Sequence, residues 1–371
     1  MRATDPLLPL LAQTFGSTAG GAAAVITAFA VAYGLLQLVH GPFGDRIGKY
    51  RMVFWVTALA AAGNLACALA PSLPLLIAAR FATGALVGAI VPLAMAWIGD
   101  AVPYERRQPV LARFLIGHMF GIALSVMAAG WLGERYGWQA VFYALAGLYT
   151  LVAILLWVEL RGNASAGAGQ EPAHLLSESF LRMAALTRRP WVRVVLGTVF
   201  VEGALLSGAH AFVAYHAHLH FGLGLAASGA LLALTALGGL LYASVAGRLV
   251  PMLGERGMVL AGGLLLGAGY LGLAAAPAAG AAAPCILALG IGFYMLHNTL
   301  QVHATQMAPE TRGAAVALFA FFLFTGQSMG IWLASHAVDS VGTQPVFVVA
   351  ALGLPLLALD FRRRLAAHRL P

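Results

Sequence analysis

Apolar and polar positions alternate along this chain on the scale of a bilayer rather than of a helical turn or a strand. Apolar runs cover 20–40, 52–70, 73–98, 109–132, 138–159, 191–215, 225–246, 258–276, 284–305, 313–337 and 344–361, and about 20 such residues cross the hydrocarbon core as a helix. The pattern predicts eleven membrane helices joined by short polar turns. Ahead of them, residues 1–15 hold a Pro-Leu-Leu-Pro-Leu-Leu-Ala piece that is too short to span and lacks the charge pattern of a signal peptide.

Composition turns this pattern into a class, an all-α polytopic membrane protein. With 61% hydrophobic residues, 9% charged and a mean hydropathy of +0.87, the chain has more apolar surface than one soluble core could hide. The formal charge of +8 would suit a nucleic acid only if the cations shared one face; they are dispersed among short turns, so no nucleic-acid partner is expected. Eighteen of the 21 Lys and Arg residues fall in turns on one side, against Arg135 on the other. The positive-inside rule makes the rich side cytoplasmic, with both termini on it, in the cytoplasmic (inner) membrane of a bacterium. Cys67 and Cys285 lie in separate apolar runs with no ligand spacing around them, so neither a disulfide nor a metal site is expected.

The runs are not independent of one another. Shifted by 206, Phe15-Gly16 falls on Phe221-Gly222, Gly41 on Gly247, Gly48 on Gly254, Met52-Val53 on Met258-Val259, Pro71 on Pro277, Gly84 on Gly290, Pro103 on Pro309 and Arg106 on Arg312. At a shift of 205, Gly137, Gln139, Val141 and Phe142 fall on Gly342, Gln344, Val346 and Phe347. This predicts two copies of a six-helix unit. The copies are residues 1–160 and 190–371, joined by a charged linker at 161–189 that holds a short amphipathic helix at 174–186. The second copy opens near Trp191, so the first helix is expected to be truncated, with about 15 of its residues absent before Met1.

Between the first two runs, Gly41 to Arg51 reads Gly-Pro-Phe-Gly-Asp-Arg-Ile-Gly-Lys-Tyr-Arg. Three cations and one carboxylate in a glycine-rich connection predict a tight cytoplasmic hinge. Gly41, Asp45, Arg46, Gly48 and Lys49 match the Gly-x-x-x-Asp-Arg-x-Gly-Arg/Lys signature, and the chain resembles the major facilitator superfamily over its whole length. That resemblance implies two parallel six-helix repeats and alternating access. It also implies that these five residues are gating residues, with Asp45 docking on helix 11 of the other half in the outward-facing state. Asp5 to Pro9, reading Asp-Pro-Leu-Leu-Pro, is similar to the end of helix 1 in the twelve-helix, drug-efflux-like branch, which implies proton-coupled efflux. Gly117, Gly121, Gly130 and Gly133 resemble the antiporter motif of helix 5, but Ser125 to Gly130 departs from its Gly-Pro-x-x-Gly-Gly core. The second copy of the loop has Pro251 where Asp45 would align.

Ionisable groups at membrane depth supply the remaining candidates, because they are costly there unless a cavity or a partner holds them. Arg80 either faces a cavity or snorkels from the end of its run; its spacing to Gly84 resembles the family's helix 4 motif, associated with proton coupling. Glu202 lies about eleven residues into its run with no basic neighbour in sequence, which makes it a proton or substrate site or a structural hydrogen bond. Asp5 is a second proton-coupling candidate, and Arg2, three residues before it, is assigned with His210, Tyr294, His297, Asn298 and Gln301 to substrate binding; Arg2 and Asp5 either line the cavity, with helix 1 completed upstream, or form a frayed polar terminus. The last four belong to a polar stripe with Thr305 that suits either a cavity wall or polar contacts between helices. His216, His218 and His220 are expected at the membrane interface, not around a metal.

Lys49 is the one lysine and sits in no phosphate-binding loop, so the expected energy source is a proton gradient and no cofactor. Gly326-Gln327-Ser328-Met329-Gly330 matches Gly-x-Ser-x-Gly only inside an apolar run and not at the strand-to-helix turn that motif needs, His-Glu-x-x-His does not occur, and an enzyme is not expected. The reading is a monomeric secondary transporter of a small organic solute in the lipid bilayer, with an importer or uniporter of the same fold as the alternative.

Overall fold

The computed structural model describes residues 2–162 and 176–368. Every regular element among them is helical. A 3₁₀ turn, Arg2–Leu7, leads into α1 (Leu8–Phe15); α2 (Ala19–Ile47), α3 (Lys49–Ala68), α4 (Leu73–Val87) and α5 (Ile90–Ala101) follow, then α6 (Tyr104–Tyr136) and α7 (Trp138–Gly162). After the linker come α8 (Leu176–Leu186), α9 (Pro190–His210), α10 (Val213–Phe221), α11 (Leu225–Ala275), α12 (Ala279–Gln306), α13 (Arg312–Val341) and α14 (Thr343–Ala367). Ten of the continuous runs are long and apolar enough to cross a membrane. The expected eleven reappear once α11, 51 residues long, is divided at Gly254, where φ 60° and ψ 173° break the helix. The central part of the expected linker, 163–175, lies outside the described residues, as do the first two residues of its expected helix.

Backbone geometry carries the repeat. The residues with positive φ among those described are six glycines: Gly16 and Gly222 (59° and 64°), Gly48 and Gly254 (98° and 60°), Gly137 and Gly342 (88° and 84°). They form three pairs at the offsets of the sequence repeat. An L-residue with a Cβ avoids this region, so glycine is what lets two membrane helices meet without a loop.

That device narrows one expectation. The tight hinge expected over Gly41 to Arg51 is confined to one residue: α2 stays helical through Pro42 as far as Ile47, Gly48 alone turns the chain, and Lys49 already begins α3. Gly44 stays in the helix, where its bare Cα lets Leu93 of α5 approach. Breaks do occur at mid-depth. At the α4/α5 break the Gly88 carbonyl lacks a helical partner because Pro92, four positions on, has no N–H, and Gln37 Nε2 donates to it at 2.9 Å. The α9/α10 break falls at Ala211–Phe212. Leu8 and Val213, the first residues of α1 and α10, stand 205 apart, so the 3₁₀ turn before α1 and the break before α10 are equivalent points of the repeat.

Helices α2 and α4 pack together, as do α3 and α7; in the second half α9 packs on α13, and α11 on α12 and α14. The two most extensive contacts between the halves are α2 with α13 and α6 with α11; the 3₁₀ turn also meets α10 and α11, and α1 meets α10. The α6 contact with α11 is close because glycines face backbone: a Cβ on Gly229 would stand 2.6 Å from the Val126 carbonyl, and one on Gly130 would strike that of Leu225. Small residues at such crossings gain van der Waals contact that lipid cannot supply. Large apolar side chains remain exposed on the outside, among them Phe120, Leu124, Trp131, Leu155 and Leu356, a surface suited to lipid.

Candidate transport site and the seal beside it

A cavity of about 120 Å³ lies where the two halves meet, walled by α6, α9, α11, α12 and α13 and reached by Arg2 from the 3₁₀ turn. Its polar lining is Arg2, Ser207, His210, Thr235, Tyr294 and Gln327; Phe293 and Leu206 are among the apolar residues. Arg2 Nη1 donates to Asp5 Oδ2 at 3.2 Å, and Asp5 is fully buried. The tight 3₁₀ turn places residues three apart over one another, which brings this pair together. Several buried atoms here have no hydrogen-bond partner: Asp5 Oδ1, Ser207 Oγ, Thr235 Oγ1 and Gln327 Oε1. Buried polar atoms are nearly always satisfied in folded proteins, so an unsatisfied cluster around one cavity marks a place for a polar ligand.

Glu202 is not the unpaired carboxylate that its sequence neighbourhood suggested. It is fully buried, and its Oε2 shares a hydrogen bond of 2.9 Å with Nδ1 of His297 on α12. Its Oε1 has no partner. The His297 ring stacks on Phe293 at 4.8 Å and leans on Phe319 at 5.6 Å. A carboxylate and an imidazole in one buried hydrogen bond can exchange a proton without either being left as an isolated charge. The stripe on α12 therefore divides: Tyr294 lines the cavity, His297 serves Glu202, Asn298 is half-buried, and Gln301 and Thr305 are exposed. Glu202 and His210, on one helix, likewise serve different neighbours, the second facing the cavity.

Arg80 does not snorkel. It is 3% exposed, with its guanidinium carbon 4.1 Å from the centre of the Phe29 ring and 5.8 Å from that of Phe142. Its Nε and Nη2 have no hydrogen-bond partner. Aromatic faces offset part of the cost of burying the cation. Of the histidine trio, His216 is buried, its Nδ1 2.6 Å from Thr343 Oγ1, and its ring stacks on that of the exposed His220 at 4.1 Å; His218 is half-buried and its Nδ1 meets the Leu223 carbonyl at 2.7 Å.

One end of the interface between halves is sealed by two carboxylates that sequence reasoning missed. Asp339, on α13, accepts from the Gly20 N–H at 2.9 Å and from Thr18 Oγ1 at 2.7 Å, at the start of α2. Glu134, on α6, accepts from the Ala226 N–H at 2.7 Å, at the start of α11. Gly20 and Ala226 are each the second residue of their helix, where a free N–H and the positive end of the helix dipole welcome an anion. The signal was present in sequence, since the 205 offset sets Glu134 on Asp339. At the opposite end, Asp45 meets Lys49 of its own half at 3.4 Å, and Lys49 also holds Asp100 at 2.5 Å.

Comparison with known proteins places this arrangement. The chain is 32% identical over 155 residues to the uncharacterized transporter YgaY of Escherichia coli, covering 41% of this chain and 39% of that one. With the uncharacterized MFS-type transporter YceJ of Bacillus subtilis it shares 23% identity over 343 residues, 91% and 85% of the two chains. The gallate transporter of Pseudomonas putida is 27% identical over 179 residues, 48% of this chain and 40% of that one. Among solved structures, the nucleoside transporter NupG superposes with a TM-score of 0.79 at 12% identity, over 97% of this chain and 94% of that one, a likeness of fold. Residues 1–331 match the model of the Major Facilitator Superfamily, and the chain belongs to that family.

Proposed function

We infer that the chain is a secondary transporter that carries a small organic solute across the bilayer by alternating access, coupled to protons in the direction of efflux. The observation that carries this reading is the cavity between the halves, lined by unsatisfied polar groups and lying beside an interface sealed at one end. The distribution of cations supports reading the sealed end as the outer one and the arrangement as inward-facing. In this cycle the Glu134 and Asp339 caps release as the outer ends part, and Asp45 leaves Lys49 for the second half as the inner ends close. Glu202 with His297 carries the proton, and Arg80 and Asp5 tune the first half. Efflux is supported by the Asp-Pro-Leu-Leu-Pro piece, which resembles the drug-efflux-like branch.

The test is transport by the purified chain in proteoliposomes under an imposed pH gradient, against a panel of small solutes. Accumulation that follows the gradient and collapses with a protonophore is expected. Solute movement insensitive to the gradient would leave a uniporter in place of the coupled carrier.

A further inference from the structure

We propose that the cavity selects a small monocarboxylic acid, with its carboxylate on Arg2 and a ring-sized apolar body carrying hydroxyl or amino groups against α9 and α12. This rests on the transport reading for the purpose of the site, but the recognition chemistry stands on the cavity itself.

Arg2 is the one lining residue with a fixed positive charge. A guanidinium presents five donors in a planar fork, and Asp5 accepts at Nη1, so the rest of the fork is open to a second planar acceptor. A carboxylate matches that fork with two parallel bonds. A phosphate dianion would bring two charges to one cation already shared with Asp5. An organic cation would lose its hydration to face Arg2 and an Asp5 carboxyl already paired with it. The other lining groups are neutral hydroxyls and an amide, beside the His210 imidazole.

Size and surface narrow the body. A cavity of about 150 Å³ holds a single benzene ring, and the 120 Å³ here is of that order. Phe293 and Tyr294 supply aromatic surface, and Leu206 and Val126 close the apolar wall. Ser207 Oγ, Thr235 Oγ1 and Gln327 Oε1 lie around this wall without partners. An unsubstituted ring would leave them unsatisfied, whereas hydroxyl or amino substituents would pair with them.

The probes are 4-hydroxybenzoate, its neutral isostere 4-hydroxybenzamide, and phenyl phosphate, titrated calorimetrically into the full chain in lipid nanodiscs. The carboxylate is expected to bind at least about tenfold more tightly than the amide, the difference of one charge-assisted hydrogen bond, and more tightly than the phosphate. Arg2→Gln is expected to erase the preference of acid over amide, and Thr235→Val to weaken the hydroxylated acid relative to benzoate. Equal binding of acid and amide to the unaltered chain, or no binding of any carboxylate, overturns the proposal without reliance on a variant that could misfold. Counterflow in proteoliposomes, measured beside the nanodisc titrations, separates the two readings. Selective carboxylate binding without counterflow would end the transport reading and leave the site. Gradient-driven movement of other solutes, unaffected by Arg2→Gln, would end the site and leave transport.

Discussion

Glu134 and Asp339 stand 205 residues apart in the chain and do the same thing in opposite directions. Each reaches from its own half to cap the first turn of a helix in the other, Glu134 on Ala226 and Asp339 on Gly20 and Thr18. The interface is therefore held by a reciprocal pair of caps, one from each half. A cap lost to alanine costs about 1 kcal/mol in typical helices, roughly a fivefold change in an equilibrium. Glu134→Ala and Asp339→Ala should each shift the chain toward an outward-open state by about that factor, and the double variant by more. Spin labels on the outer ends of α2 and α13 would read the shift as a longer distance population. An unchanged distribution in the double variant would show that packing alone holds this end.

Asp45 is expected to act with the opposite sign. Its partner is Lys49 of its own half; on the inward-facing reading proposed above, Asp45→Asn should leave insertion intact and depress the outward-facing population that the charge would stabilise across the interface. Transport should fall, and the added Glu134→Ala change should restore part of it by weakening the opposing seal. Wild-type transport by Asp45→Asn would remove the gating role.

The Glu202 and His297 pair leads to a test of coupling. Glu202→Gln mimics a carboxyl that cannot release its proton, and should still exchange solute in counterflow while failing to accumulate it against a gradient in inverted vesicles. His297→Phe leaves Glu202 buried without its partner, and should abolish gradient-driven accumulation as well. Normal pH-driven accumulation by the Gln variant would move the proton site elsewhere, with Asp5 the next to examine.

Gly254 turns α11 at φ 60° and ψ 173°, a region that residues with a Cβ occupy only under strain. Gly254→Ala should lower stability by about 1–3 kcal/mol, and Gly48→Ala, at the equivalent turn, by a similar amount. A thermal unfolding series in detergent would show the drop. No change at either position would mean that the turn relaxes into another geometry.

The number of spans, the repeat, the side that bears the cations and the family signature could all be read from the chain itself. Their causes are local: about 20 apolar residues cross a bilayer whatever surrounds them, and a glycine at a positive-φ turn leaves its mark in both copies. Even so, the Gly48 turn reads as a longer hinge in sequence, because composition does not say how far a helix persists past a proline. Pairing between helices was decided by tertiary structure. Glu202 meets His297 across 95 residues, Arg80 turns inward onto Phe29 instead of outward, and Gln327 joins Ser207 and Thr235 around one cavity. Hydropathy gives the length of a membrane helix but scarcely its rotation about its own axis. That rotation is set by which small residues let the backbones approach, and it decides whether a polar side chain meets a partner, a ligand or lipid.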